Sequence, residues 1–207
     1  IYTDVDGIFS ADPRIVPTAR QVPRITYDEM MELAAAGAKV LHLRCVEYAK
    51  RFNLPIHVRS SFSDREGTFV IADLSDQSCL NQLSQQGAIM EQPIIAGVAH
   101  DLGDAKVTVV GVPDRPGTAA AIFEAVADAG VNMDMIVQNV SAHGTAKTDV
   151  TFTVPRAEAA KAELQLRKVQ GAVGFEDIET DENIAKISLV GAGMRSHPGV
   201  SATFFKA

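Results

Sequence analysis

Cysteine is almost missing from this chain of 207 residues, with only Cys45 and Cys79 and no Cys-x-x-Cys pair. That usage indicates neither a zinc site nor a disulfide framework, and a reduced, cytoplasmic setting is the expectation. No apolar run reaches membrane-spanning length, and no signal-peptide pattern is visible near residue 1. Basic residues are outnumbered, 19 Lys and Arg against 26 Asp and Glu, for a net charge of −7. Such a balance argues against nucleic acid or an anionic membrane as the main partner, although ordinary solubility explains it equally well. The five histidines, His42, His57, His100, His143 and His197, have no metal-ligand spacing and read as surface or capping residues. No metal site is expected among them.

What the chain has is ample core material, 46% apolar with 22% charged residues, and a segment that occurs twice. Lys106-Val-Thr-Val-Val-Gly111 leads through Val112-Pro-Asp-Arg-Pro-Gly117 into Thr118-Ala-Ala-Ala-Ile-Phe123. Lys186-Ile-Ser-Leu-Val-Gly191 leads through Ala192-Gly-Met-Arg-Ser-His-Pro-Gly199 into Val200-Ser-Ala-Thr-Phe204. Each copy reads as an alternating strand, a tight Pro-Gly turn and the start of a small-residue helix. Two copies of one unit, each aiming helix N-terminal amides at an anion, suggest a pair of ligand-sensing modules.

Residues 1–72 read as α/β, with strand-like residues 1–4 entering the turn Asp4-Val-Asp-Gly7. Thr26-Tyr-Asp-Glu29 is a capping box opening a helix whose apolar side is Met30, Met31, Leu33 and Ala34, stopped by Gly37. A second helix is expected over 39–52, with Cys45 a small buried hydrophobe, followed by strands over 56–59 and 68–71. Residues 73–92 read as a linker with one helical turn at 80–83. A further unit spans 93–180: strands at 93–99 and around Val107 and Val109, a helix over 118–129, and a strand over 131–140. A loop over 142–147, the half-buried strand of Val150, Phe152 and Val154, a helix over 156–170 and a strand over 175–178 complete it. The order βαββαβ is the ferredoxin-like arrangement. A second such unit starts within 181–207 and is cut short. Both ends of the chain read as cut from something longer.

Tyr2-Thr-Asp-Val-Asp-Gly-Ile-Phe-Ser-Ala-Asp-Pro-Arg14 resembles the nucleotide-binding stretch of aspartate kinases, which have the amino-acid kinase fold. Gly37-Ala-Lys-Val-Leu41 and Pro55-Ile-His-Val-Arg-Ser60 resemble the same family. Gln138-Asn-Val-Ser141, Lys147-Thr-Asp149 and Val190-Gly-Ala-Gly-Met194 with Ser196-His-Pro-Gly199 resemble its regulatory part, a tandem of ACT domains. The resemblance implies that Thr3, Asp4, Phe9, Ser10, Ala11, Asp12, Pro13 and Arg14 contact ATP, with Lys39 and Val40 as a second contact. Phosphoryl transfer needs cations and a divalent metal about the phosphates, so ATP with Mg2+ is the implied substrate and Arg14 a cation beside it. For Asp4 and Asp6 a plain turn needing Asx side chains and Gly7 is the competing reading. The lysine- and glycine-bearing strand of the family and its aspartate-binding residues do not occur here, so no catalytic residue is assigned. The chain by itself is expected to be inactive.

A free amino acid presents a carboxylate and an ammonium group. The amides after Gly117 suit the first, and Asp114 or Asp134 the second. Glycine at 117 would let the backbone approach closely, although a tight turn alone also explains Pro116-Gly117. The resemblance implies effector contacts at Asp114, Gly117, Ala119, Asn132, Met133, Asp134 and Gln138, and at Met194, Val200 and Ser201 in the second copy. It further implies lysine or threonine as effectors, assembly into homo- or hetero-oligomers through ACT domains, and a possible subunit start near Met90. Two competing readings are a non-catalytic ACT module that controls a partner kinase, and another amino-acid kinase bearing ACT domains.

Overall fold

The structure, a computed structural model, describes residues 1–73, 95–139, 146–191 and 199–206. Its internal contacts divide it into two units, Ile1–Asp101 with Ile187–Ala207, and Leu102–Lys186. The expected helical turn at 80–83 and residues Cys79, Met90, His143, Met194 and His197 lie outside the described residues.

The first unit is built on a four-stranded mixed sheet, in the order β1 (Tyr2–Thr3), β3 (Ile56–Ser60), β4 (Thr68–Ile71), β2 (Arg24–Thr26). β1 runs parallel to β3 and β2 parallel to β4, while β3 and β4 are antiparallel with His57 opposite Phe69. β2 runs straight into α1 (Tyr27–Ala35), because Thr26 caps it reciprocally: its Oγ1 accepts from the Glu29 amide and the Glu29 carboxylate accepts from the Thr26 amide. α1 buries Tyr27, Met30 and Leu33. Gly37 lies beyond its end at φ 110°, a conformation that favours glycine.

α2 covers Leu43–Arg51, shorter than the expected 39–52. His42 is extended, and its Nδ1 accepts from the Arg44 amide at 3.2 Å, so the capping side chain fixes the helix start three residues after Lys39. Val46 and Ala49, three apart, are its buried residues. Cys45, rotated about 100° from Val46, is exposed rather than buried. A two-stranded pair, β5 (Gly97–Asp101) with β10 (Lys186–Val190), adds Ala99 and Val190 to the core of Ile8, Ile25, Met30, Leu33, Val46, Val58 and Val70. Of the expected strand at 93–99, residues 93 and 94 lie outside the described residues, and β5 begins at Gly97. α5 (Val200–Lys206) completes the described part.

The second unit runs β6 (Asp104–Pro113), α3 (Thr118–Ala127), β7 (Ile136–Gln138), β8 (Lys147–Pro155), α4 (Ala159–Val173) and β9 (Asp177–Asp181), with a single 3-10 turn at Arg156–Glu158 before α4. The antiparallel order β7-β8-β6-β9 with two crossing helices is the ferredoxin-like fold. Val107, Val109, Val150, Phe152 and Val154 alternate onto one face and meet Ile122, Val126, Ala162 and Leu166 of the helices, all fully buried. Phe123 lies edge-on to Phe152, 5.9 Å between ring centres. Among the described residues, the expected strand over 131–140 is regular only at Ile136–Gln138. Asp134 and Met135 each exchange one backbone bond with Thr153, but the segment before them does not join the ladder. As an edge strand, β7 leaves Met135, Ile136 and Val137 exposed.

Candidate functional site

The loop leaving β1 is folded on its own side chains. Thr3 Oγ1 accepts from the Val5 amide and donates to the Val5 carbonyl, a local turn. The next turn is held by Asp6, whose carboxylate takes the Ser63 hydroxyl and pairs with Arg65 at 3.2 Å. Gly7 stands at φ 129°, and a Cβ there would lie 2.5 Å from Thr68 Oγ1. Thr68 is buried and donates to the Val22 carbonyl at 2.6 Å while accepting from the Ile8 amide at 2.8 Å. The turn reading of Asp6 and Gly7 therefore has a physical basis: the glycine is dictated both by its backbone and by its neighbour.

Phe9 bridges Gln21, and Ser10 closes the following loop by donating to the Arg20 carbonyl and accepting the Arg20 amide on Oγ. Within it, Asp12 grips Arg14 three times, through the Arg14 amide at 2.9 Å, Nε at 3.0 Å and Nη2 at 2.7 Å. The guanidinium, and then the amide, hold the Asp12 carboxyl down at about 2; a weaker pull comes from His100 on β5. Asp4 acts on Arg14 in turn. Phe9 to Asp12 are half-buried, while Asp4, Pro13 and Arg14 are exposed. The arrangement presents a preset guanidinium at the surface of a closed loop. Lys39 is exposed and Val40 half-buried on the segment between α1 and α2. β5 brings the two expected contact segments near each other: the Val98 amide donates to the Ser10 carbonyl at 2.8 Å, and a Cβ on Gly37 would meet the His100 carbonyl at 2.6 Å.

The corner of the second unit is organised differently. Asp114 donates its amide to the Ala146 carbonyl at 2.9 Å and is exposed. Gly117 is the residue before α3, at φ 91°, and no side chain caps the helix. Among the described residues the amides of Ala119 and Ala120 have no partner, as helix geometry requires of its first turn. A Cβ at 117 would have nothing within 4 Å, so the left-handed backbone and not a close approach calls for glycine. Gly199 repeats this at the start of α5, at φ 100° with open space about it. Val200 is half-buried and Ser201 exposed on α5; Met194 lies outside the described residues.

Asn132, Asp134 and Gln138 are exposed and Met133 packs on the core of the unit. Asp134 is already engaged. Lys186, only 14% exposed, donates to it at 2.7 Å and to Asp104 at 2.9 Å. Burial alone would lower the Lys186 ammonium, but the two carboxylates hold it above the ordinary lysine range. The β8 strand start carries both sides of the corner, with Ala146 bonded to Asp114 and Val150 opposite Gln138. Asp149 accepts the Gly111 amide at 2.9 Å across a bulge in β6, and Lys147 pairs with Glu176. The Lys147-Thr-Asp149 motif is thus structural mortar beneath the corner. Sequence reasoning gives Lys186 only as the opening residue of the second repeat and His100 only as a surface or capping histidine, and assigns no role to Arg20; tertiary proximity alone reveals their contacts. Among the described residues, no three His, Cys, Asp or Glu side chains are grouped to hold a metal ion.

Comparison with known proteins agrees with this two-part division. Residues 1–60 match the amino acid kinase family and residues 107–170 an ACT domain. An aspartokinase of Mycobacterium bovis is 56% identical over all 207 residues, and the chain spans 47% of its length, about half of the curated relatives it matches. The regulatory subunit of aspartate kinase from Thermus flavus is 38% identical, over 55% of this chain and 74% of that one, with a TM-score of 0.51. E. coli aspartokinase III in complex with aspartate and ADP superposes with a TM-score of 0.76 at 25% identity, over 100% of this chain and 42% of that one. The same enzyme in complex with lysine and aspartate superposes with a TM-score of 0.65 at 26% identity, over 92% and 39%. The kinase-type loop after β1, the ferredoxin-like unit and these matches have one reading: the chain belongs to the aspartate kinase family.

Proposed function

We propose that this chain is the ATP-side and regulatory portion of an aspartate kinase, which transfers the γ-phosphoryl group of Mg2+-bound ATP to L-aspartate, giving 4-phospho-L-aspartate. The observation that carries the reading is the closed loop at 9–14, which holds out the Arg14 guanidinium in a chain that also bears an ACT unit with open helix amides. Arg14 neutralises phosphate charge, and Thr3, Asp4, Phe9, Ser10, Ala11, Asp12, Pro13, Lys39 and Val40 form the surrounding nucleotide wall. The protein contributes orientation and charge; Mg2+ arrives with ATP as substrate.

Feedback control is assigned to the Pro-Gly corners. An amino acid, lysine or threonine, places its carboxylate on the amides following Gly117, with Ala119, Asn132, Met133, Asp134 and Gln138 about it and Asp114 facing its ammonium. Met194, Val200 and Ser201 serve the second corner. Pairing through the exposed β7 edge makes the working enzyme an oligomer, and its setting is the cytoplasm, in lysine and threonine biosynthesis. The likeness to a regulatory subunit supports a second reading, a non-catalytic amino-acid-binding module. Calorimetry on this chain, with Mg2+·ATP and separately with threonine and lysine, tests both. Effector heat together with aspartate phosphorylation by the full-length protein is the expected result. Effector binding with no turnover in the full-length protein selects the module, and binding of neither ligand overturns both readings.

A further inference from the structure

β5 is bonded to the closed loop through its backbone. The Val98 amide donates to the Ser10 carbonyl at 2.8 Å, two positions after the Ala96 amide donates to the Val190 carbonyl at 2.7 Å. One short stretch of backbone thus holds the end of β10, just ahead of the second Pro-Gly corner, and the start of the closed loop. Residues two apart on an extended chain are about 7 Å apart, so the two grips are adjacent. Side-chain size at this crossing is tightly limited. A Cβ on Gly97 would lie 3.1 Å from Leu33 Cδ2 and 3.5 Å from the Ser10 carbonyl, and one on Gly37 would lie 2.6 Å from the His100 carbonyl. Ala99 and Val190 anchor the same strands in the core of the unit. Finally, the charge of His100 on β5 adds a weak pull on the Asp12 carboxyl.

We propose that β5 is the positioning element of the nucleotide loop: Val98 sets Ser10, and Gly97 and Gly37 are kept small so that the strand can lie against loop and helix together. Because Ala96 holds Val190, β5 and β10 support the loop together. The inference rests on the kinase reading above. Interiors are packed densely enough that a valine at 97 must displace either Leu33 or the Ser10 carbonyl.

The test is Gly97→Val in the full-length enzyme, with Val46→Ala as a control that weakens the same core away from β5. For Gly97→Val the KM for ATP rises about fivefold or more, while the KM for aspartate stays within about twofold. For Val46→Ala both constants stay within that limit. Equal changes in both constants, or none, overturn the proposal. Hydrogen exchange on the wild-type enzyme gives a reading that does not depend on either variant folding. Mg2+·ADP slows exchange in the peptide carrying β5 as well as in the one carrying residues 9–14, and aspartate alone does not. Protection confined to 9–14 overturns the proposal. A wild-type enzyme without ATP-dependent turnover defeats the functional reading, whereas turnover with unmoved constants in Gly97→Val defeats only this inference.

Discussion

The loop after β1 and the Gly117 corner both turn on a glycine with positive φ, yet they are built in opposite ways. Around Gly7 the polar side chains are largely paired internally: Thr3 on Val5, Asp6 on Ser63 and Arg65, Thr68 on Val22, Asp12 on Arg14. Around Gly117 the space is empty, no side chain caps α3, and the Ala119 and Ala120 amides have no partner among the described residues. A closed, self-satisfied loop suits a ligand that must meet one fixed geometry for chemistry. An open corner suits a ligand whose arrival supplies the missing hydrogen bonds and so shifts an equilibrium.

That contrast is broken most directly by adding one methyl group to each glycine. Gly7→Ala combines a disallowed backbone with the 2.5 Å approach to Thr68 Oγ1, and is expected to cost about 2–4 kcal/mol, read as a lowered melting temperature of this chain. Gly117→Ala meets no neighbour and should cost only about 1–2 kcal/mol. Equal costs for the two would erase the distinction. Next in size is regulation: Gln138→Ala or Asp114→Ala raises the effector concentration for half-inhibition about tenfold, with uninhibited turnover near normal. Inhibition curves that coincide with wild type for both variants remove the effector assignment.

A third comparison concerns charge. Lys186→Met leaves Asp104 and Asp134 without their shared cation, and should destabilise by about 1–3 kcal/mol in denaturant melts at neutral pH. Because the Lys186 pKa is raised on folding, its contribution is complete below the ordinary lysine value of 10.5 and is lost only as pH climbs through the folded value. The smallest effect is the sharpest. In Arg14→Ala the Asp12 carboxyl should return from about 2 toward its ordinary 3.8, followed by carbon NMR, while the KM for ATP rises. The sign is that of a depressed acid: the pair stabilises the loop above about 3.8 and that support disappears as pH falls through about 2. An Asp12 titration indifferent to Arg14 would contradict the structure at its best-defined ion pair.

Much of this was legible in the order of residues. The capping box at Thr26 and Glu29, the βαββαβ succession and the first Pro-Gly corner follow from local patterns that fold as local patterns do. What escaped was set by tertiary context. β2 is three residues long between Pro23 and the Thr26 cap, and exists because it pairs with β4. The start of α2 depended on an imidazole acting as cap, and Cys45 faces outward because Val46 and Ala49, not its neighbours, meet the core. At the site, sequence could name Asp134 as a partner for an ammonium but not foresee that Lys186, fifty-two residues on, already supplies one.

The Lys186 link to Asp104 has a practical corollary. It ties the first strand of the second unit to that unit's final residue, since its limits are Leu102 and Lys186. A cassette whose two termini are clasped in this way can be excised, transplanted into a host loop or circularly permuted with little strain. Protein engineers thus have a ready-made cut-and-paste module at hand.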